Sequence, residues 1–534
     1  MRVVPLENEA VNECWISDKD RYSYEALASE ERLTAPMIKE GGEWKSVDWP
    51  AALEFVARGL RDVVATHGGA ALGTLVSPHA TLEEMALAAR LTRALGSDNI
   101  DFRLRQVDFA ADPQRSGIPW LGMPIADLAA LERVLVVGSF LRKDHPLLAQ
   151  RLRQAAKKGA QVSVLHAVGD DSLIRLAHAF VAPPSLLPHA LAEIVVAAAR
   201  GAGKPAPSAL AQIEPTATAQ VIAASLLSGA RSAIFLGNFA EQHPCASQLF
   251  ALAAALAEIV GARLGCLTEA ANSVGGYVAG ALPERDGLNA LAMLNDARKA
   301  YLLLGVEPEF DCASPVAARA ALEKAAFAVI LSPFRHGMQY ADALLPVAPF
   351  TETAGTFVNC EGRAQRFNGV VKPLGETRPA WKLLRVLGSL LGAPGFDFDS
   401  IDDVRASLPD AAAIGARLAN TSGVAIACPA ATTHGLERVA DIPIHFADPL
   451  ARRAPSLQQT ADARPPRARL NALTMAQIAV AEGSQVKVRQ GRGEAVLTAI
   501  ADPAVPAGVV RIAAAHASTC SLDGLSGPVT VEKA

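Results

Sequence analysis

Two stretches of this chain put the same residue types in the same order. GSFLRKDHP (138–146) and GNFAEQHP (237–244) each start with a glycine after an apolar run, pass an aromatic, and close on His-Pro. A glycine at a strand's carboxyl end, followed by a helix, presents free N–H groups and a positive helix terminus, which is phosphate-binding geometry. Gly138 and Gly237 are therefore candidate cofactor contacts. His145 and His243 stand just before proline at the first helical position, where helix entry alone also accounts for them. SPFRHGMQYAD (332–342) brings Arg335 and His336 beside Gly337, suited either to a phosphate or to a solvated loop. ADALLPVAPFTETAGTFVNCEGRAQRF (341–367) joins a strand end, a Gly-rich turn and the pair Glu361 and Arg363, as a pocket wall for a large phosphorylated cofactor would. Neither glycine lies in GxGxxG or GxxxxGK[ST]. Ser77, Ser139 and Ser332 follow strands without a GxSxG frame, and no HExxH spacing exists. The reading is a cofactor-shaped architecture with no catalytic residue and no metal ligand assigned.

The elements that must position these residues alternate. RVLVVGSFLRKDHPLLAQRLRQAAKKGAQVSVLH (133–166) reads strand, loop, helix, strand, and 232–267 repeats it. Continuous Val/Leu strands mark parallel sheets covered on both faces, so the fold class is α/β with Rossmann-like doubly wound domains. The two His-Pro stretches suggest an internal pseudo-repeat. Trp49-Pro50 opens a helix ended by Gly68-Gly69, and Thr81 caps a second with Glu83 and Glu84 in its first turn. EWKSVDW suggests a short hairpin. After residue 470, short alternating bursts punctuated by Gly483, Gly491 and Gly508 read as a small β-barrel.

With 534 residues, several domains are expected. A formal charge of −4 gives no drive toward nucleic acid or anionic lipid. Arg452-Arg453 and RPPRAR (464–469) form the one basic Pro-rich patch, read as a solvated linker. Glu7, Glu9 and Glu13 interrupt any signal-peptide core. LFALAAALAEIVGARLGCL (249–267), broken by Glu258 and Arg263, reads as a buried helix rather than a membrane span. The seven cysteines, Cys14, Cys245, Cys266, Cys312, Cys360, Cys428 and Cys520, show no CxxC spacing. Most are expected to be buried small hydrophobes, and no iron–sulfur cluster is expected.

Three long segments carry a resemblance. ENEAVNECWISDKDRYSYEAL (7–27), LTEAANSVGGYVAGALP (267–283) and the stretch 344–388 resemble the G-subunit family of bacterial NADH-quinone oxidoreductase (complex I). More distantly the layout is similar to molybdopterin oxidoreductases. The resemblance implies a discontinuous order. Residues 1–48 form a small β-rich segment packing with 350–372, as a remnant of a cluster-bearing domain. Residues 49–100 join 285–349 and 373–400 in an α/β domain, and 101–284 form an inserted one. Residues 401–469 connect to a barrel at 470–534 that is like a degenerate molybdopterin-dinucleotide-binding domain. It also implies a peripheral-arm component on the cytoplasmic face of the inner membrane. Its partners are other complex I subunits, with no nucleic acid and no membrane insertion.

The same resemblance implies that 2Fe–2S and 4Fe–4S clusters belong to a region absent here, so that this chain has no cofactor. SDNIDFRLRQVDFAADP (97–113) stands where active relatives supply a Cys, selenocysteine or Ser to molybdenum, and it has none after Asp98. AVGDDSL (167–173) replaces an Arg-bearing loop. The expectation is a catalytically inactive scaffold whose pterin site has degenerated. Trp15, Tyr22 and Tyr24 are expected at its junction with the cluster domains. The alternative is an active molybdopterin-dependent oxidoreductase of formate dehydrogenase type.

Overall fold

A computed structural model describes residues 2–430, 433 and 435–534. The chain opens with a polar segment, then makes a hairpin of β1 (Met37–Glu40) and β2 (Glu43–Ser46), followed by β3 (Leu72–Val76) and β4 (Ile100–Asp101). It leaves to build β5 (Arg133–Val137), β6 (Gln161–His166), β7 (Leu176–Val181), β8 (Ser232–Leu236) and β9 (Arg263–Cys266). It then returns with β10 (Ala300–Leu304), β11 (Phe327–Ser332) and β12 (Ala343–Pro346). The first sheet has the order β2-β1-β12-β11-β10-β3-β4, and the second β7-β6-β5-β8-β9, parallel throughout. Every residue of β3, β8, β10 and β11 is buried, which is why these strands read as unbroken apolar runs.

The helix Trp49–His67 starts on Asp48, whose side chain accepts from Ala51 N, and stops at Gly68, where φ is +81°. Thr81 and Glu84 form a reciprocal capping box at Leu82–Ala94. Beyond the first sheet, β13 (Gly355–Val358) and β14 (Ala364–Phe367) pair only with each other. Buried Glu83 anchors this ribbon by accepting from Thr356 N (2.9 Å), Thr356 Oγ1 (2.7 Å) and Arg405 Nε (2.7 Å). The hairpin expected at EWKSVDW forms, but it joins the edge of the first sheet through β1–β12 pairing. Residues 1–48 touch the 350–372 stretch through the buried Arg32–Glu352 pair (2.9 Å), and Thr34 O accepts from Glu376 N just beyond it (2.8 Å).

The last sheet curls into a half-barrel. It contains β15 (Glu437–Val439), β16 (Ala468–Leu470), β17 (Gln485–Gln490), β18 (Gly493–Ala501), β19 (Val509–Arg511), β20 (Ser526–Pro528) and β21 (Thr530–Lys533). The expected boundary at 470 is too late, because β15 and β16 come from the stretch read as a connection. β15 pairs with both β19 and β20, a register no local pattern reveals. The run 249–267 is not one helix: Ala246–Val260 ends at Gly261 (φ +71°) and β9 follows. Among the described residues no helix is long and apolar enough to cross a membrane.

Candidate functional site

The carboxyl ends of the parallel strands in the two sheets border a crevice, lined also by Lys19 and Asp20 of the N-terminal segment and by Asp441, Asp448 and Arg511. The stretch 341–367 does form part of its wall: Val347, Ala348, Pro349, Phe350, Thr353 and Phe357 border a cavity of about 220 Å3 where β3, β10 and β11 end. A second cavity of about 200 Å3 lies between Phe140 and Lys143 and the half-barrel residues Asp441 and Arg511. A third, of about 80 Å3, lies between the inserted sheet and the 102–111 loop.

The two His-Pro stretches sit side by side, since β5 and β8 are neighbours. Each strand end runs through a short helix, Leu141–Asp144 or Asn238–Glu241, into a longer one. Their loops close on each other. Ala240 N donates to Gly138 O (3.1 Å) and Gly237 N to Val137 O (2.9 Å), so N–H groups a phosphate would need are already used. A Cβ on Gly138 would lie 2.6 Å from Ala240 N, and one on Gly237 would lie 2.2 Å from Ser139 Cβ. Both glycines serve loop-on-loop packing. His243 is a buried helix-entry residue: Nδ1 accepts from Cys245 N (2.9 Å) and Nε2 meets Pro184 O (2.9 Å). His145 is buried too, and burial pulls its imidazole down to about 4, so it is neutral at physiological pH. Its Nε2, Ser139 Oγ and Asn238 Oδ1 are buried without a hydrogen-bond partner.

The other candidates lie apart. Arg335 is exposed and donates to Glu30 O, while its backbone N donates to Glu31 O (2.8 Å), so it holds the N-terminal segment rather than the crevice. Glu361 and Arg363 pair (2.7 Å) in the β13–β14 turn, and Glu361 also accepts from Ile125 N (2.7 Å). That ties the ribbon to the inserted domain, away from the 220 Å3 cavity.

Buried ion pairs link the loops that follow β4, β9 and β10 to Arg452 and Arg453. Arg105 meets Glu269 (2.5 Å) and Asp311 (3.5 Å), Arg452 meets Glu307 (2.9 Å) and Asp311 (3.0 Å), and Arg453 meets Glu307 (2.7 Å). Lys19 reaches Asp448 at 2.8 Å. Burial opposes the charge on Glu307, yet Arg452, His336 and Arg453 together draw its carboxyl down to about 2. The solvated-linker reading of Arg452 and Arg453 is thus wrong. Glu307 and Asp311 lie some 140 residues earlier in sequence, and Arg453's other partner, Glu31, lies near the start of the chain, where no charge-run pattern detects them. Elsewhere burial pushes the Asp144 carboxyl up to about 8 and the Glu84 and Glu241 carboxyls to about 7. The cysteine expectation also needs correction: only Cys266 and Cys312 are fully buried, whereas Cys14, Cys245 and Cys428 are exposed.

Residues 32–390 match the molybdopterin oxidoreductase family model, and the chain belongs to that family. Among solved structures it is similar to acetylene hydratase from Pelobacter acetylenicus. That likeness has a TM-score of 0.72 at 15% identity, covering 97% of this chain and 94% of the other, and speaks to fold. Among curated proteins it is similar to the G subunit of NADH-quinone oxidoreductase from Mycobacterium bovis (29% identical, 93% of this chain, 63% of that protein). It is also similar to the corresponding G subunit from Rickettsia felis (25%, 76% of this chain, 54% of that protein). The chain thus spans less than two thirds of the length of these relatives.

One expectation is overturned. Residues 1–25 match the NADH-ubiquinone oxidoreductase NDSU1/NuoG-like 4Fe-4S domain, so the chain includes part of an iron–sulfur domain rather than lacking that region altogether. The match points to iron–sulfur binding, contrary to the reading of no cofactor in this chain. A cubane cluster takes four thiolates, and the matched segment contains one cysteine, the exposed Cys14. Among the described residues no three His, Cys, Asp or Glu side chains are grouped as metal ligands.

The pterin group fares differently. The 97–113 loop presents Arg103 and Arg105, both committed to carboxylates, and no thiol or hydroxyl after Asp98. The residues present do not fit a molybdenum–pterin dinucleotide.

Proposed function

We propose that the chain is the molybdopterin-oxidoreductase-like part of a complex I G subunit, serving as a structural and assembly scaffold of the peripheral arm. It would sit on the cytoplasmic side of the inner membrane, against other peripheral-arm subunits. One observation supports a loss of chemistry: in the loops after β4, β9 and β10, Arg105 and the carboxylates of Glu269, Asp311 and Glu307 are tied up with one another and with Arg452 and Arg453. Relatives bearing the G-subunit name, matching up to 93% of the chain, support the assignment to that complex. Half-exposed Trp15 and Tyr22 and the exposed apolar Val4 and Leu6 suit a junction with the remainder of the cluster-bearing domain. The test is reconstitution: the chain is added to a complex lacking this part, then assembly and NADH-quinone turnover are measured. Restored assembly, with no turnover by the chain alone, is expected. Stoichiometric molybdenum and pterin with formate oxidation by the isolated chain would overturn the reading.

A further inference from the structure

Among the described residues several arginines form no ion pair; the most buried, Arg438, is satisfied by the carbonyls of Ile512 and Gly524 and by Gln490 Oε1, whereas Arg115 faces a recess. Arg115 is mostly buried, yet among the described residues it forms no ion pair within 4.0 Å. Its guanidinium lies between the rings of Phe250 (6.0 Å) and Tyr277 (5.8 Å). Nη1 donates to Tyr277 Oη at 2.9 Å, and the phenol's own proton meets no acceptor among the described residues. Nearby Asp112 is already engaged by Arg103 (2.7 Å). Burial holds the neighbouring Tyr277 and Cys266 in their neutral forms at physiological pH.

The surroundings are a recess. An open groove of about 530 Å3 passes Ser116, Leu282 and Arg417 and ends at Arg103, Arg115 and Tyr277. Beside those three side chains is the cavity of about 80 Å3, walled by Phe102, Pro119, Leu236 and Phe250 and, on its polar side, by Asp108, Glu241 and Glu269. Arg417 spends its donors on the carbonyls of Val278 and Tyr277 (3.3 Å each), so the groove keeps an excess of positive charge. The backbone is held in place: Arg115 bridges Ser422, and Ile118 N donates to Arg417 O (2.8 Å). A desolvated cation without a counterion is costly, and a fixed guanidinium fork beside a free phenol proton matches a planar carboxylate.

We propose that this recess binds a short monocarboxylate, its head on Arg115 and Tyr277 and its few-atom apolar tail against Phe102, Leu236 and Phe250 in the small cavity. The small volume limits the tail and leaves no room for the additional oxygens of a phosphate. The site does not depend on the scaffold role and involves no bond making.

Calorimetric titration of the full chain with sodium propionate, alongside inorganic phosphate, tests it. Saturable low-millimolar propionate binding is expected, with phosphate weaker. Arg115→Met should weaken propionate about ten-fold or more, and Tyr277→Phe, which keeps the ring, about five-fold. Propionate should raise the thermal midpoint of the native chain and leave that of Arg115→Met unchanged. Arg115→Lys keeps the charge without the fork and should fall between. Absence of saturable binding, tighter binding of phosphate, or affinities indifferent to both substitutions would each overturn the proposal.

Discussion

Glu307 is the residue on which these buried ion pairs depend most. It is 1% exposed, accepts from Arg452 Nε (3.0 Å) and is ion-paired with Arg453 (2.7 Å), so Glu307→Gln leaves Arg453 with only the largely exposed Glu31 as a carboxylate partner. Its carboxyl falls from 4.5 to about 2 on folding. At about 1.4 kcal/mol per pH unit that is about 3 kcal/mol, and removing one member of a buried pair costs about 3–5 kcal/mol. Because the folded value lies below the unfolded one, this stability is complete above pH about 4.5 and is lost as pH falls toward 2. The assay is urea unfolding of the native chain, Glu307→Gln, Arg453→Met and the double variant, at pH 7 and pH 4. At pH 7 Glu307→Gln should lose about 3 kcal/mol, the gap should narrow at pH 4, and the double variant should be less destabilised than the sum of the singles. A loss below ~0.5 kcal/mol, the size of an ordinary surface change, or strict additivity would refute the argument that these charges act as one buried unit.

Two further outcomes follow from the inserted sheet. Gly138→Ala and Gly237→Ala should each destabilise by about 1–3 kcal/mol through overpacking, since the new methyls meet Ala240 and Ser139 at 2.6 and 2.2 Å. Gly159→Ala, with positive φ but open space around it, should cost less in the same thermal denaturation series. Asp144 holds its proton up to about pH 8 through burial, so its folded value lies above the unfolded one and its ionisation opposes folding. Asp144→Asn should therefore be more stable relative to the native chain at pH 8 than at pH 5, and midpoints equally displaced at both would contradict this.

Much of the scaffold is written locally. Val134–Val137, Ala233–Leu236 and Leu302–Leu304 are apolar without alternation because both faces of a parallel strand are covered. Thr81 with Glu84, and Asp48 with Gly68, mark helix ends because capping satisfies groups within four residues of the terminus. The twin His-Pro stretches and the wall at 347–357 could be found for the same reason. What they contain could not. Whether Gly138 offers its surroundings to a phosphate depends on Ala240, about a hundred residues on. Whether Arg452 and Arg453 are solvated depends on Glu307 and Asp311. Whether the barrel starts at 437 depends on β19 and β20. Burial and pairing across such separations are set by how the sheets pack, and a charge is worth little in water and several kcal/mol once desolvated beside its partner. The sequence by itself determined the strands, their caps and the outline of a cofactor crevice. Only the tertiary structure decided which ion pairs form beside it and that Arg115 is left without one.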